Sequence, residues 1–407
     1  MFIAMPKIAP SNAVKRIKTT VQRLTPQRLA SLKAFSIIQQ ASNPKNIVLK
    51  TFKHQPSKNA EPDKPQLIYA DNLQNNQLIN SLKQLGQPYR PTPWLSNRHL
   101  QLVYSELRKN LSKTLHYDHS ETLTMTDGGH TALAWYGYHL PADTPTIVIM
   151  HTLTGSPKSM QNMVLDLHQQ TGWRVVVLVR RGHANLEFNP PRFNIFGNTR
   201  DLKEQLAHIE RSFPDSTLYA VGSSAGSGLL IRYLGEEQHQ AKFKAAFAFC
   251  PGYNTDEGFK FCHPFYSKYM AKKLIQTFVT PHALALQALS TYKDFNNAKD
   301  LLDFHENVYE FSGYATKHAY SLATNPMHVF NDMTCPVMAL NAEDDPVCHI
   351  QNLSPYVQNI KNMPNVIVVT TKKGSHCAYP QGWQAKSWAH QLMGNYFLAM
   401  HHDTAST

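Results

Sequence analysis

Short apolar runs alternate with longer mixed segments over most of the chain beyond residue 140. The runs are residues 146–150, 174–179, 218–221, 245–250, 336–341 and 365–371. Their hydrophobicity is nearly continuous, which is typical of parallel strands buried on both faces. Because helix-sized segments separate most of them, the pattern predicts an α/β fold with a mostly parallel central sheet flanked by helices.

Two further segments complete this pattern. Residues 122–125 and 131–136, joined through Asp127-Gly128-Gly129, predict a β-hairpin that precedes the parallel strands.

Between 251 and 334 the alternation stops, and aromatic residues are frequent from Phe259 to Tyr269. We expect a helical cap here, inserted between the sixth and seventh core strands, with these aromatic side chains walling an acyl pocket. The alternative is a helical excursion without a role in substrate binding.

The first 87 residues differ in composition from the rest. Residues 1–60 contain eight Lys, three Arg and no acidic residue, so they carry +11 of the formal net charge of +12. Apolar residues recur there every three to five positions, which predicts two short amphipathic basic helices. Residues 41–87 are rich in Asn, Gln, Lys and Pro, and we interpret them as a linker with one weak helix near Asn72 to Leu85.

Three interpretations of this basic arm stay open: a peripheral anchor on anionic membranes, a solvated arm, and an organelle transit peptide. Nucleic-acid binding is not predicted, because aromatic residues are not interleaved with the basic ones. The expected domains are therefore residues 1–87 as arm and linker, 88–250 and 335–400 as the two parts of the core, 251–334 as the cap, and 401–407 as a tail.

Composition limits the cellular context. No apolar run approaches 18 residues and the chain does not start with a secretory signal, so we expect an intracellular, cytoplasmic protein, peripheral at a membrane surface or targeted to an organelle. The oligomeric state is left open. The five cysteines are odd in number and scattered. They are interpreted as reduced thiols, and neither a disulfide framework nor a metal site is predicted.

The strand at 218–221 runs directly into a Gly-x-Ser-x-Gly motif, and a helical segment follows it. Gly222 and Gly226 provide room where larger side chains would collide with the strand and the helix. Such a turn exposes the hydroxyl of Ser224 at the carboxyl edge of the sheet, beside the amide of Ala225. The motif alone also occurs by chance, so its assignment as a nucleophile depends on suitable partner residues.

These partners follow in the chain order that a serine hydrolase of this architecture requires. The strand at 336–341 ends in an acidic turn that contains Asp344 and Asp345, and the strand at 365–371 is followed by His376. His376 is the predicted general base. Asp345 is the predicted acid, because it stands three residues after Ala342 and directly before a proline, and Asp344 is the alternative.

An oxyanion hole needs a second backbone amide besides that of Ala225. The strand at 146–150 leads into a loop that begins with His151, and the amide of Leu153 is the predicted second donor. Thr152 occupies a position where glycine is common. It fits this loop only if its φ angle stays negative.

Other function classes fit less well. The spacing of Gly222, Gly226 and Gly228 does not match the Gly-x-Gly-x-x-Gly of dinucleotide-binding proteins, and no acidic residue ends the strand at 245–250. A binding protein without catalytic activity on a hydrolase scaffold is an alternative, which the complete Ser, His and Asp set argues against. An acyltransferase is a second alternative, since an alcohol can capture an acyl-enzyme in place of water.

The chain from about residue 88 to 398 resembles the YheT-like, abhydrolase-domain branch of the α/β-hydrolases. The most specific resemblance is Pro93-Trp94-Leu95-Ser96-Asn97-Arg98-His99-Leu100-Gln101, and similar motifs occur at 151–155, 181–182, 197–202, 233–236 and 342–346. The resemblance implies a serine hydrolase without a cofactor that acts on small-molecule or lipid carboxylic esters. The chain departs from the family pattern at Thr152, in the run Arg180-Arg181-Gly182-His183, and in having a basic arm in place of a membrane-spanning helix.

Overall fold

A computed structural model describes residues 64–188, 191–194 and 198–402, without the side chains of residues 110 and 111. The basic helices predicted within residues 1–60 lie outside these residues, as do residues 41–63 of the predicted linker and residues 403–407 of the predicted tail. The predicted membrane and targeting roles of the arm therefore stay predictions.

The main sheet has nine strands in the order β1-β9-β8-β7-β6-β4-β5-β3-β2. Strands β4 to β9 pair in parallel with one another, whereas β1, β2 and β3 pair antiparallel with their neighbours. The predicted mostly parallel sheet is thus confirmed. The strands are β1 (Gln66–Tyr69), β2 (His119–Thr124), β3 (His130–Tyr136), β4 (Thr146–Met150), β5 (Arg174–Val179), β6 (Leu218–Ser223), β7 (Phe243–Phe249), β8 (Val337–Ala342) and β9 (Val366–Thr371), with a separate two-stranded pair, β10 (Pro380–Gln381) and β11 (Lys386–Ser387).

The helices occupy both faces of this sheet and the segment between β7 and β8. They are α1 (Leu73–Ser81), α2 (Arg98–Leu111), α3 (Pro157–Thr171), α4 (Arg200–Ser212), α5 (Ala225–Glu237), α6 (Thr255–Gly258), α7 (Pro264–Leu274), α8 (Ala283–Leu286), α9 (Tyr292–Asn296), α10 (Leu301–Asn307), α11 (Lys317–Thr324), α12 (Val357–Lys361) and α13 (Trp388–His402). None of the helices described is long and apolar enough to cross a membrane.

The central strands are apolar throughout because both of their faces are covered. In β5, Val175 and Val177 pack into a cluster with α1, α3 and α13, whereas Val176 and Leu178 pack into a second cluster with α4, α5 and α12. All six residues of β5 are buried. Burial on two faces explains why these strands lack the alternation of apolar and polar residues that one-sided strands have.

The interpretation of residues 41–87 as a linker is wrong for its second half. Residues Gln66–Tyr69 form β1, which pairs antiparallel with β9 at the edge of the sheet. The following helix α1 overlaps the weak helix that was predicted, and Leu78, Leu82 and Leu85 are buried in the core. The folded part therefore begins before residue 88.

Residues between β7 and β8 form helices α6 to α11, at the position predicted for the cap. Their buried aromatic residues make a third cluster, separate from the two that cover the sheet. Its members include Phe278, Phe295, Phe304 and Phe311 from the insertion, together with Phe188 and Phe193 from the loop that follows β5. We call this group the insertion cluster.

Candidate active site

The turn between β6 and α5 holds Ser224 in an unusual backbone conformation. Its φ is 53° and its ψ is −117°, a combination that is costly for any residue with a side chain. A Cβ atom at Gly222 would lie 2.5 Å from the carbonyl oxygen of Gly226, and one at Gly226 would clash with the carbonyl oxygen of Met150. The predicted need for small residues on both sides of the serine is therefore explained by close backbone packing.

The three predicted triad side chains form one continuous hydrogen-bonded chain. Nε2 of His376 lies 2.8 Å from Oγ of Ser224, and Nδ1 of His376 lies 2.7 Å from Oδ2 of Asp345. The three residues follow the carboxyl ends of β6, β9 and β8, which meet at one edge of the sheet. The sheet topology thus brings together residues that are 152 and 31 positions apart in the sequence.

The two consecutive aspartates have different partners. Asp345 is fully buried, and its second carboxylate oxygen accepts hydrogen bonds from the amides of Val347 and Cys348 at 2.7 and 2.9 Å. Asp344 instead accepts a hydrogen bond from the amide of Ser375 at 2.9 Å. The structure therefore brings Asp345 to the imidazole, whereas Asp344 contacts the loop that carries it.

The electrostatic environment favours a charged imidazole. Burial opposes protonation of His376, but the charge and hydrogen bond of Asp345, together with the charges of Cys377 and Cys348, outweigh burial and raise the pKa of His376 well above its ordinary value. Burial also raises the pKa of the Asp344 carboxyl, although the hydrogen bond from Ser375 acts in the opposite direction. An imidazolium beside a carboxylate is the species that a general-base role of His376 would produce.

The two predicted oxyanion donors lie at the carboxyl ends of the paired strands β6 and β4. Ala225 is the first residue of α5, and Leu153 lies in the loop after β4. Within the described part of the chain, neither of these backbone amides donates a hydrogen bond to a protein acceptor. Thr152 is absent from the described residues with positive φ, so it meets the condition set by its side chain. The role of both amides stays a prediction.

A buried arginine that sequence reasoning did not assign to the site holds this loop in place. Nη2 of Arg180 donates to the carbonyl oxygens of His151 and Thr152, both at 2.6 Å. His183 makes a further contact, with Nε2 3.1 Å from the carbonyl oxygen of Leu153. The signal was present in the sequence, because Arg180 and His183 belong to the run that departs from the family pattern.

The insertion packs directly on the same loop. The rings of His151 and His183 are 4.7 Å apart, and His183 lies 4.9 Å from Phe278 of the insertion cluster. Burial, together with the nearby charge of Arg180, lowers the pKa of His183 to about 4. The side chain of Leu153 belongs to the insertion cluster as well. The position of the Leu153 amide therefore depends on how its loop packs against the helices of the insertion.

Arg181, the neighbour of Arg180, has a different environment. Its guanidinium pairs with Asp201 at 2.6 Å and with Asp127 at 2.7 Å, and it is almost fully buried. Asp127 belongs to the turn between β2 and β3, and Asp201 lies in the first turn of α4. The family motif residues Arg181 and Asp201 therefore have a structural role: their ion pairs connect the end of β5 to α4 and to the turn between β2 and β3.

The motif at residues 93–101 contacts the histidine loop and the insertion. The hydroxyl of Ser375 donates to the carbonyl oxygen of Arg98 at 2.8 Å, next to His376. Nδ1 of His99 lies 2.8 Å from the hydroxyl of Tyr266 in α7. This segment therefore contacts both the loop that carries His376 and helix α7 of the insertion. Its sequence alone did not reveal this role.

Several aromatic residues of the segment 259–269 are partly exposed to solvent. Phe261, Phe265 and Tyr269 are 40%, 38% and 49% exposed. The enclosed aromatic surface near the site is instead the insertion cluster behind Leu153. The role of residues 259–269 as the wall of an acyl pocket stays a prediction.

Comparison with known proteins gives a consistent result. Residues 145–382 match the family described as alpha/beta hydrolase fold, which is more than half of the chain. Embryogenesis-associated protein EMB8 of Picea glauca is 27% identical over 354 residues, covering 82% of this chain and 76% of that protein. Phospholipase ABHD3 of Bos taurus is 28% identical, covering 80% and 81%. Monoacylglycerol lipase ABHD2 of Mus musculus is 26% identical, covering 83% and 85%.

The family match spans β4 to β10 and includes all three residues of the hydrogen-bonded chain. The chain belongs to the alpha/beta hydrolase fold family, in its abhydrolase-domain branch.

Proposed function

We propose that this protein is a serine hydrolase that cleaves carboxylic esters through an acyl-enzyme. Ser224 attacks the ester carbonyl as its proton passes to Nε2 of His376, and Asp345 stabilises the resulting imidazolium. The amides of Leu153 and Ala225 bind the developing oxyanion. His376 then protonates the departing alcohol, and water releases the acyl group by the same route in reverse. The observation that supports this most is the hydrogen-bonded chain from Asp345 through His376 to Ser224, at 2.7 and 2.8 Å.

The direct test is covalent labelling with a fluorophosphonate probe, which reacts with activated serines. We expect Ser224→Ala to abolish labelling and to lower kcat for a soluble ester by roughly four to six orders of magnitude. Ser223→Ala is the matched control, because Ser223 is the buried neighbour in β6 and should label normally. More than a tenth of wild-type activity in pure Ser224→Ala would reject the proposal.

We propose esters with medium-length acyl chains, including lipid esters, as the substrate class. Two relatives bear the names of a phospholipase and a monoacylglycerol lipase. The side chain of Leu153, whose amide is the proposed oxyanion donor, is also apolar and packs into the insertion cluster. Each methylene buried there would add about 0.8 kcal/mol to binding. Esters of roughly six to twelve carbons should therefore exceed acetate in kcat/KM, and the highest value on acetyl esters would contradict this assignment.

We propose in addition that one face of the insertion contacts anionic membranes peripherally. Phe265, Lys268, Tyr269 and Lys272 are all exposed, and their spacing places them on one face of α7. Trp94 and Leu100, of the segment that contacts α7, are exposed as well. Aromatic side chains with flanking lysines are the combination that binds the surface of an anionic bilayer.

A further inference from the structure

Thiol groups surround His376, although the cysteines are scattered in the sequence. The sulfurs of Cys250 and Cys377 and a ring nitrogen of His376 lie within 4.8 Å of one another. Cys348 is also near the ring, because its thiol forms a hydrogen bond with His376 and its amide donates to Asp345. Cys250 follows β7, Cys348 lies beyond β8 and Cys377 beyond β9, so the shared carboxyl edge of three parallel strands brings them together.

Cys250 and Cys377 form a contact of their own beneath the imidazole. The amide of Cys377 donates to Sγ of Cys250 at 3.3 Å, and the hydroxyl of Ser223 lies 3.6 Å from Sγ of Cys377. Both cysteines have positive φ angles, 51° and 53°, which are uncommon for residues with a side chain. Both residues therefore adopt an unusual backbone conformation, and their sulfurs lie within 4.8 Å of each other.

A metal ion and a disulfide make different demands on this group. A metal ion would need a ring nitrogen of His376, but Nδ1 already contacts Asp345 and Nε2 contacts Ser224. A disulfide needs neither nitrogen. It requires only that two sulfurs now within 4.8 Å approach to about 2.05 Å, mainly by side-chain rotation. The geometry therefore favours a disulfide.

We propose that Cys250 and Cys377 are a site of reversible oxidation, at which a peroxide converts the two thiols into a disulfide. The sulfur of Cys377 attacks a peroxide oxygen, the O–O bond breaks, and a sulfenic acid and one water form from hydrogen peroxide. The sulfur of Cys250 then attacks the sulfenic sulfur, and a second water leaves as the S–S bond forms. Two thiols lose two electrons in total, and the peroxide gains them.

The order of these steps follows from exposure and charge. Cys250 is completely buried, whereas Cys377 is only partly buried and can meet a small oxidant first. Burial disfavours the thiolate of Cys377, but hydrogen bonding with Cys250 and the charge of His376 outweigh it and lower the pKa of Cys377 below its ordinary value. Burial raises the pKa of Cys250, as expected for a thiol that resolves the sulfenic acid and does not attack first.

The effect on catalysis rests on the function proposed above. Closing the bond moves the sulfurs of Cys250 and Cys377, which now lie within 4.8 Å of a ring nitrogen of His376, so the packing that holds the imidazole changes. A misplacement of about 1 Å in a catalytic group costs roughly a hundredfold in rate. We therefore expect the oxidised protein to lose at least tenfold in ester hydrolysis and to recover it with dithiothreitol.

The test treats the full chain with hydrogen peroxide and analyses non-reduced peptides by mass spectrometry. We expect a linked pair that contains Cys250 and Cys377, a loss of two hydrogen masses, and reversal by dithiothreitol. Cys377→Ser should prevent oxidation at the site, and Cys250→Ser should let Cys377 accumulate as a sulfenic acid that dimedone traps. Cys335→Ser is the matched control, because Cys335 is a buried thiol that contacts the backbone of Phe243, away from His376.

The linkage is read by mass, so the result does not depend on hydrolase activity. A link from Cys377 to Cys348, or over-oxidation of Cys377 in the wild-type protein without any link to Cys250, would overturn the proposal. Formation of the predicted disulfide in a protein without esterase activity would support the oxidation site and reject the proposed function alone. Equal loss of activity in Cys377→Ser under peroxide would show that the inactivating oxidation lies elsewhere, and would overturn the link to catalysis.

Discussion

Asp345 lies 2.7 Å from Nδ1 of His376 with a carboxylate that is completely removed from solvent. Its other oxygen is held by the amides of Val347 and Cys348, so the carboxylate cannot rotate without losing two hydrogen bonds. The adjacent Asp344 is directed to the amide of Ser375. Asp345 thus contacts the imidazole directly, whereas Asp344 contacts the backbone next to His376.

Replacing each aspartate by asparagine should separate these roles. Asp345→Asn removes the charge that stabilises the imidazolium, and we expect kcat/KM for a soluble ester to fall at least a hundredfold, about 2.7 kcal/mol. Asp344→Asn keeps an oxygen that can accept from Ser375, so it should cost less than tenfold. Steady-state kinetics of both purified variants give the ranking, and the reverse order would move the acid to Asp344.

The pH dependence should report the effect of Asp345 on His376. Only neutral His376 can accept the proton of Ser224, so activity is lost as the pH falls below the pKa of His376. Because Asp345 raises that pKa, the wild-type protein should lose activity at a pH above the ordinary histidine value. In Asp345→Asn the remaining activity should persist to lower pH. Profiles of kcat/KM measure both midpoints, and an unchanged or raised midpoint in the variant would contradict this account.

Arg180 and Arg181 are adjacent but should fail in different ways when replaced. Arg180→Met removes the donor to the carbonyls of His151 and Thr152, so the loop that carries the proposed oxyanion donor Leu153 loses its support. We expect kcat to fall about tenfold to a hundredfold with a smaller change in KM. Arg181→Met leaves Asp201 buried without its bidentate partner, so unfolding should become easier by about 3 to 5 kcal/mol while folded protein keeps most of its kcat.

Thermal melts and kinetics measured on the same preparations distinguish these outcomes. A stable Arg180→Met variant with unchanged kcat would reject the positioning role. Comparable loss of kcat in both variants at matched folded concentration would indicate a general loss of structure.

The elements that could be predicted from the sequence are the central strands, whose burial on both faces gives continuous apolar runs. Continuous apolar strands such as β5 are recognisable because both faces are covered, and the chain order of Ser224, Asp345 and His376 follows from the parallel topology that those strands imply. Strand β1 was missed because it has only four residues, none of them fully buried, at the edge of the sheet. A short, half-covered strand has neither the length nor the pattern of the central ones.

Contacts made by side chains from different loops were not predictable in this way. Arg180 follows an apolar strand and resembles a solvated end of that strand, yet it is buried against the backbone of another loop. The thiols of Cys250 and Cys377 are 127 residues apart, and no spacing rule links them. In both cases the partner is determined by which strand ends are adjacent in the sheet, which a single sequence does not specify residue by residue.

Two truncations should locate the start of the folded unit. Removing residues 1–60 leaves β1 intact, so the remaining chain should fold and hydrolyse a soluble ester. Removing residues 1–87 deletes β1 and the buried Leu78, Leu82 and Leu85, each of which contributes a few kcal/mol when it is buried. We expect that variant to be insoluble or to melt far below the first. Equal stability of both would show that β1 and α1 are dispensable.

The chain without residues 1–60 also allows membrane contact through α7 to be tested apart from the basic arm. In that background we expect Phe265→Ser combined with Tyr269→Ser to reduce sedimentation with anionic vesicles, because two exposed aromatic side chains are lost from the proposed contact face. Turnover of a soluble ester should not change. The matched control is Leu284→Ser, since Leu284 is 90% exposed on α8, outside the α7 face. If the full chain binds anionic vesicles at low salt and the shortened chain does not, the arm is the anchor. If the full chain and the shortened chain both bind, and the double variant binds as well as the shortened chain, the α7 face is not the contact surface.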